Sequence, residues 1–174
     1  ETELPFSPSS YTVWRNYKRV FECSFLATRI GNKLIASDFC LELSKSNSQI
    51  NDVDDYFSLY IPRFRFPFPA FQEYNPSDKQ IYPFCAILKY LISKKKNNLE
   101  ASISLDEVFS LIIANECTGV EDIHYYNNLT PKHYNIKGDQ KRQVREMLIF
   151  VSQISILKWF NNALFLDIDI DDID

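Results

Sequence analysis

Apolar residues in the second half of the chain recur at spacings of three and four. Phe84, Ile87, Leu88, Leu91 and Ile92 form one such face, which predicts a helix opened by Pro83. Lys94-Lys95-Lys96 close it, with cations where a helix C-terminus favours them. Leu105, Val108, Phe109, Ile112 and Ile113 form a second face, and Ser104-Leu105-Asp106-Glu107 before it has the spacing of a capping box. A polar segment follows from Asn115 to Gly138. Val144, Met147, Leu148, Val151, Ile154 and Leu157 then form a third face, with Asp139 as the expected cap. Lys158-Trp159-Phe160 and Ala163-Leu164-Phe165-Leu166 flank Asn161-Asn162, which reads as a β-hairpin because Asn tolerates the positive φ of a two-residue turn.

Three amphipathic helices followed by a hairpin is the order of a winged helix. None of the helices can bury its stripe alone, so they must pack on one another. The first half is less periodic. Tyr11–Arg19 reads as a short helix, Val20–Leu26 as a strand, Thr28–Ala36 as a turn and short helix, and Asp52–Leu59 as a helix with acids at its start. Arg63-Phe64-Arg65-Phe66-Pro67-Phe68-Pro69 must be extended, since prolines two apart forbid a helix. The alternation suits either aromatics packed inward or a phosphate-tracking strand. Turn formers at Asn75, Pro76, Ser77 and Asp78 suggest a boundary. The expected fold class is therefore mainly α with short β-hairpins (α+β), a winged helix-turn-helix in two tandem modules. Residues 1–75 would be an N-terminal module, a partial winged helix, and 76–174 a C-terminal winged-helix domain with an acidic tail.

Composition narrows the function. The 174 residues are 45% hydrophobic and 15% aromatic, enough for a core. No run approaches the roughly 20 apolar residues of a membrane span, and no signal peptide opens the chain. The chain starts on Glu1, so it reads as a piece of a longer protein. Cys23, Cys40, Cys85 and Cys117 are widely spaced among apolar residues, which suggests buried free thiols and a cytoplasmic location. The five aspartates at Asp167, Asp169, Asp171, Asp172 and Asp174 carry the formal net charge from +1 to −4. A nearly neutral body permits DNA binding without demanding it.

Catalytic patterns are missing. Gly31, Gly119 and Gly138 lie too far apart for a phosphate loop, and no GxSxG elbow occurs. His124, Asn127 and His133 superficially suggest a metal-dependent nuclease, but loop histidines are more often solvated. The aspartate tail lacks the glycine and Glu of an EF-hand loop. The reading is a non-catalytic chain with no metal, cofactor or small-molecule substrate.

Basic residues offer a better lead. Lys132, His133, Lys137, Lys141, Arg142 and Arg145 gather around the start of the third helix. Lys141, Arg142 and Arg145 share a face opposite Val144 and Leu148. The N-terminal end of the second helix of a helix-turn-helix enters the major groove, where Arg pairs with guanine and Lys or Arg neutralises phosphate. Arg142, Arg145, Lys141 and Gln143 would read or position the duplex, Gln140 would add adenine contact, and Lys137 and Lys132 would meet phosphates. The competing interpretation is a solvated helix face paired with Asp139 or Glu146.

Four stretches carry a family likeness: Phe25-Leu26-Ala27-Thr28-Arg29-Ile30-Gly31-Asn32-Lys33-Leu34; Tyr56-Phe57 with Phe66-Pro67-Phe68-Pro69; Pro83-Phe84 with Ile87-Leu88; and Arg142 to Leu157 with the Trp159–Leu166 hairpin. Their order resembles the DNA-recognition region of type II and IIS restriction endonucleases of the FokI and AlwI kind. The resemblance implies sequence-specific recognition of double-stranded DNA in a restriction or related defence enzyme. Cleavage would belong to a nuclease domain in the same or a partner chain. The alternative is a winged helix used for protein–protein assembly, which a sequence pI near 5.2 favours.

Overall fold

The computed structural model describes residues 11–31, 33–45, 47–70, 75 and 77–169, with side chains from Tyr17 onward. The Pro5–Ser10 lead-in, part of the boundary near residue 75 and the last aspartates lie outside the described residues. The fold is α+β, helices with two small antiparallel sheets. Two compact units divide the chain: Glu1–Asn51 with Pro67–Asp78, and Asp52–Phe66 with Lys79–Asp174. A cut near residue 75 differs from this in the placement of Asp52–Phe66.

The first unit holds α1 (Tyr11–Cys23), a hairpin of β1 (Ala27–Ile30) and β2 (Lys33–Ala36), and α2 (Asp38–Leu43). Two sequence expectations are corrected here. Val20–Leu26 is not a strand, because α1 continues to Cys23. Its inward residue is Glu22, 6% exposed, which takes two bonds from the Arg29 guanidinium at 2.9 and 3.0 Å. Phe25 then ends the helix at φ 61°, and Leu26 N–H donates back to Phe21 O at 2.9 Å. The left-handed Phe25 is held by Ser37 Oγ, which donates to its carbonyl, and by its ring stacked on Phe68 at 5.9 Å. Thr28–Ala36 is not a turn and helix but the hairpin, with Gly31 at φ 56° between the strands.

The second unit holds α3 (Val53–Tyr60), α4 (Pro83–Lys96), β3 (Ser102–Ser104), α5 (Leu105–Glu107), α6 (Gln140–Val151), β4 (Leu157–Phe160) and β5 (Ala163–Leu166). A π-helix, Val108–Ile113, continues α5, and a 3-10 helix, Ile123–Asn128, lies within the polar segment. The sheet order is β3-β5-β4, so the short strand before the second helix joins the hairpin. This is the strand arrangement of a winged helix. Asp52 caps α3 through Asp55 N–H, and Tyr60, Phe57 and Phe64 build an aromatic core with Phe84 and Phe150 at centroid distances of 5.1–5.8 Å. That core is why Asp52–Phe66 belongs with the C-terminal unit. Phe64 is buried while Arg63 and Arg65 face solvent, the inward-aromatic reading of that run. Ile103, Leu148, Val151, Leu157 and Leu164 fill the space under the wing.

The third helix is shorter than its apolar pattern. It ends at Val151, and Ile154 and Leu157 are buried from the turn and strand that follow. Asp139 stands at the N-cap position but makes no capping bond, because its carboxylate accepts from Arg142 instead.

Candidate nucleic-acid interface

The capping box at Ser104 forms with both of its bonds. Ser104 Oγ accepts from Glu107 N–H at 3.2 Å, and Glu107 Oε2 accepts from Ser104 N–H at 2.7 Å. This fixes the start of α5 beside the wing turn, where Leu105 N–H donates to Asn162 O at 2.9 Å. The turn is left-handed at both residues, Asn161 at φ 48° and Asn162 at φ 58°, as a two-residue type I′ hairpin requires. Their alignment leaves an open groove of about 480 Å³ between the start of α5, the first half of α6 and the wing tip.

Lys141, Arg142 and Arg145 line that groove, with Ser104, Asp106, Asn161 and Asn162. All three cations are exposed in the first half of α6. Leu148, seven residues after Lys141, lies on the same side of the helix rather than opposite it, and is buried with Val151 because the second half of α6 is the part that packs inward. Two of them hold acids. Lys141 Nζ donates to Asp106 Oδ1 at 2.6 Å, bridging α6 to α5. Arg142 donates to Glu146 Oε1 at 3.0 Å and Asp139 Oδ2 at 3.2 Å, and these bonds, that to Asp139 first, raise its pKa further above the ordinary guanidinium value. Such exposed pairs contribute little to stability and exchange readily with an incoming phosphate.

The remaining predicted residues do not line the groove. Gln143 is exposed on α6. Gln140 turns back, its Oε1 accepting from Lys137 N–H at 2.8 Å. Lys137 and Lys132 are exposed on the extended stretch leading into α6, and Lys132 N–H donates to Ser110 O at 2.9 Å. Asp106 and the Asn161–Asn162 side chains were missed as groove residues. Their only sequence signals were the capping box and the turn, and both report local backbone structure rather than what lies across the groove.

The long polar segment before α6 is tied down at two points. The π-helix leaves carbonyls without their usual helical donors. Asn115 Nδ2 meets Leu111 O at 2.9 Å and Thr130 O at 3.0 Å, and Tyr134 stacks on Phe109 at 5.7 Å. The second anchor is Glu121. Its carboxylate accepts from Thr118 N–H (2.7 Å), Thr118 Oγ1 (2.6 Å), Gly119 N–H (2.8 Å) and Tyr126 OH (2.8 Å). Burial alone would raise its pKa, and these bonds, those from Thr118 first, outweigh it and hold the group down at about 2.

His124 and His133 are exposed. Among the described residues no group of three or more His, Cys, Asp or Glu side chains could hold a metal ion. The cysteines are free, and burial pushes the Cys117 thiol up to about 11. No helix among the described residues is long and apolar enough to cross a membrane.

No protein-family model matches the chain, and no curated protein does. Its fold is similar to that of the BpuJ1 endonuclease binding domain, solved in complex with pyrene- and phenanthrene-modified DNA. The TM-score is 0.56 at 18% identity, with 90% of this chain covered. The chain spans 62% of that neighbour's length. The likeness establishes a shared fold.

Proposed function

We propose that this chain is a sequence-specific double-stranded DNA recognition module of a restriction or related defence endonuclease of the type II or IIS kind. The observation that carries the reading is that Lys141, Arg142 and Arg145 line one groove with the wing turn. Arg142 and Arg145, with Gln143 beside them, present donors to base edges or phosphates from the leading half of α6. Lys137 and Lys132 meet the backbone on the approach to that helix. The chain is a reader and not a catalyst, and strand cleavage falls to a nuclease domain in the same or a partner chain. A fold neighbour that is an endonuclease binding domain solved with DNA supports the same interpretation.

Fluorescence anisotropy with a labelled duplex across a salt series tests it. Replacing Arg142 and Arg145 by Ala weakens binding and lowers the slope of log K against log salt by about 0.9 for each phosphate no longer neutralised. Unchanged binding would exclude α6 as the reader.

One observation favours a second reading, protein–protein assembly. Phe160 on the edge strand β4 is 64% exposed beside a groove lined by Ile149, Leu157 and Trp159. Concentration-dependent self-association in sedimentation, with no DNA affinity, would select it.

A further inference from the structure

We infer that Asp106 is a specificity-determining residue of the groove: it holds Lys141 away from non-cognate backbone and offers a carboxylate acceptor to a base amino group. The inference rests on the DNA-recognition reading above.

Three observations lead to it. First, Asp106 is the acid that lines the groove with the three cations, and its side chain is 74% exposed there. Glu146 and Asp139 also hold a cation but are not among the groove-lining residues. Second, the Asp106–Lys141 pair at 2.6 Å joins residues 35 apart and crosses from α5 to α6. The Arg142 pairs, by contrast, stay within α6 or at its start, three or four residues apart. Third, the start of α5 uses Asp106 only as a first-turn acid, a role that asks for charge and not for a place in the groove. The capping box uses Ser104 and Glu107, leaving Asp106 outside it.

A carboxylate pointing into a groove meant for a polyanion repels every phosphate equally. It therefore weakens sequence-independent binding most, since that binding is almost wholly phosphate neutralisation. A cognate site offsets the repulsion where a cytosine N4 amino group donates to the carboxylate, the pairing that Asp and Glu make in the major groove. Lys141, released from Asp106 in that complex, becomes free for backbone or base contact. Non-cognate duplex gains no such exchange, so discrimination comes from the penalty as much as from the contact.

The experiment compares wild type, D106N and E42Q on two pools of labelled 30-base-pair duplex. One pool is random in sequence, and the other is enriched by repeated selection on the wild-type protein. D106N is expected to bind the random pool roughly five- to tenfold tighter, with a steeper salt dependence, while gaining nothing on the selected pool. E42Q, which also removes one acid from an exposed ion pair but does not line the groove or touch its cations, is expected to bind both pools as wild type does within about twofold. Equal tightening by D106N and E42Q would reduce the effect to net charge and overturn the inference. So would a D106N protein whose ratio between pools matches wild type. R142A/R145A separates the two levels: if wild type binds DNA and this variant does not, the DNA reading stands whatever D106N does. If wild type binds neither pool, the DNA reading and the inference fall together.

Discussion

Glu121→Gln should destabilise the protein far more than its half-buried position implies. The carboxylate collects four donors, two on each oxygen. Glutamine keeps one carbonyl oxygen for the Thr118 pair and puts an NH₂ where the other oxygen was. Tyr126 OH can rotate to accept from that NH₂, but Gly119 N–H cannot reverse and is left facing a donor. Hydrogen bonds to a charged group contribute about 1.5–3 kcal/mol each, and an orphaned donor costs about 1–3 kcal/mol. Discounting for solvent screening of a partly exposed group, the substitution should cost about 3 kcal/mol. For a chain of this size that is a fall in Tm of roughly 6–12 °C, read by circular dichroism at pH 7. The pH dependence follows from the depressed folded value. Glu121 goes from an ordinary 4.5 to about 2 on folding, so its contribution is complete above about 4.5 and disappears as pH falls towards 2. The gap between the two proteins should narrow across that window. Equal melting at pH 7, or a gap that persists undiminished at low pH, would refute the account.

Two backbone predictions accompany it. Gly119→Ala should unfold the same corner, because φ is +86° and a Cβ would overlap the carbonyl oxygen of Tyr82. The expected loss exceeds about 3 kcal/mol by chemical denaturation, and a loss under about 1 kcal/mol would contradict the geometry. At the wing tip, Asn162→Ala should cost about 1 kcal/mol while Asn162→Gly costs nothing or stabilises, since the residue sits at φ 58°. Equal denaturation midpoints for the two variants would mean that the turn is not held left-handed.

Sequence periodicity was most informative where one element met one partner. The helices α4 and α6, the capping box and the Asn161–Asn162 turn all rest on neighbours within a few residues, and each is formed, although α4 turns Ala86, Tyr90 and Ser93 inward and leaves Leu88 and Ile92 half-buried. Legibility failed where distant residues decide the structure. Ser102-Ile103-Ser104 is too short to signal a strand and becomes one by pairing with Ala163–Phe165. Val20 and Phe21 have strand character, yet that stretch is helical, with both of them exposed and Glu22 turned inside to meet Arg29. Thr28–Ala36 has Ile30, Leu34 and Ile35 spaced as on a helix but pairs as a hairpin; Ile30 and Ile35 are exposed and Leu34 half-buried, so their spacing carries little core information. The cations of the candidate site could be read locally, from their spacing of three and four at the start of α6. Asp106, 35 residues from its partner, could not.

The long connection between α5 and α6 is compatible with a helix-turn-helix because it is anchored at both ends of its path. A free loop of that length would let α6 drift and would close at an entropic cost that grows with length. Asn115, Lys132 N–H and Tyr134 instead fasten its return leg to the π-helix, while Glu121 closes a tight loop within the outward leg and Tyr82 N–H, donating to Thr118 O at 2.6 Å, ties that leg to the start of α4. Lys89 adds a tie from α4, donating to Gly119 O at 2.9 Å and Glu121 O at 2.7 Å. With both legs held, what varies between α5 and α6 is set by side chains at the groove, and the Lys141–Asp106 pair is the ion pair that crosses there. By releasing carbonyls to the connection, the π-helix lets an insertion of this length coexist with the direct α5–α6 contact through Asp106 and Lys141.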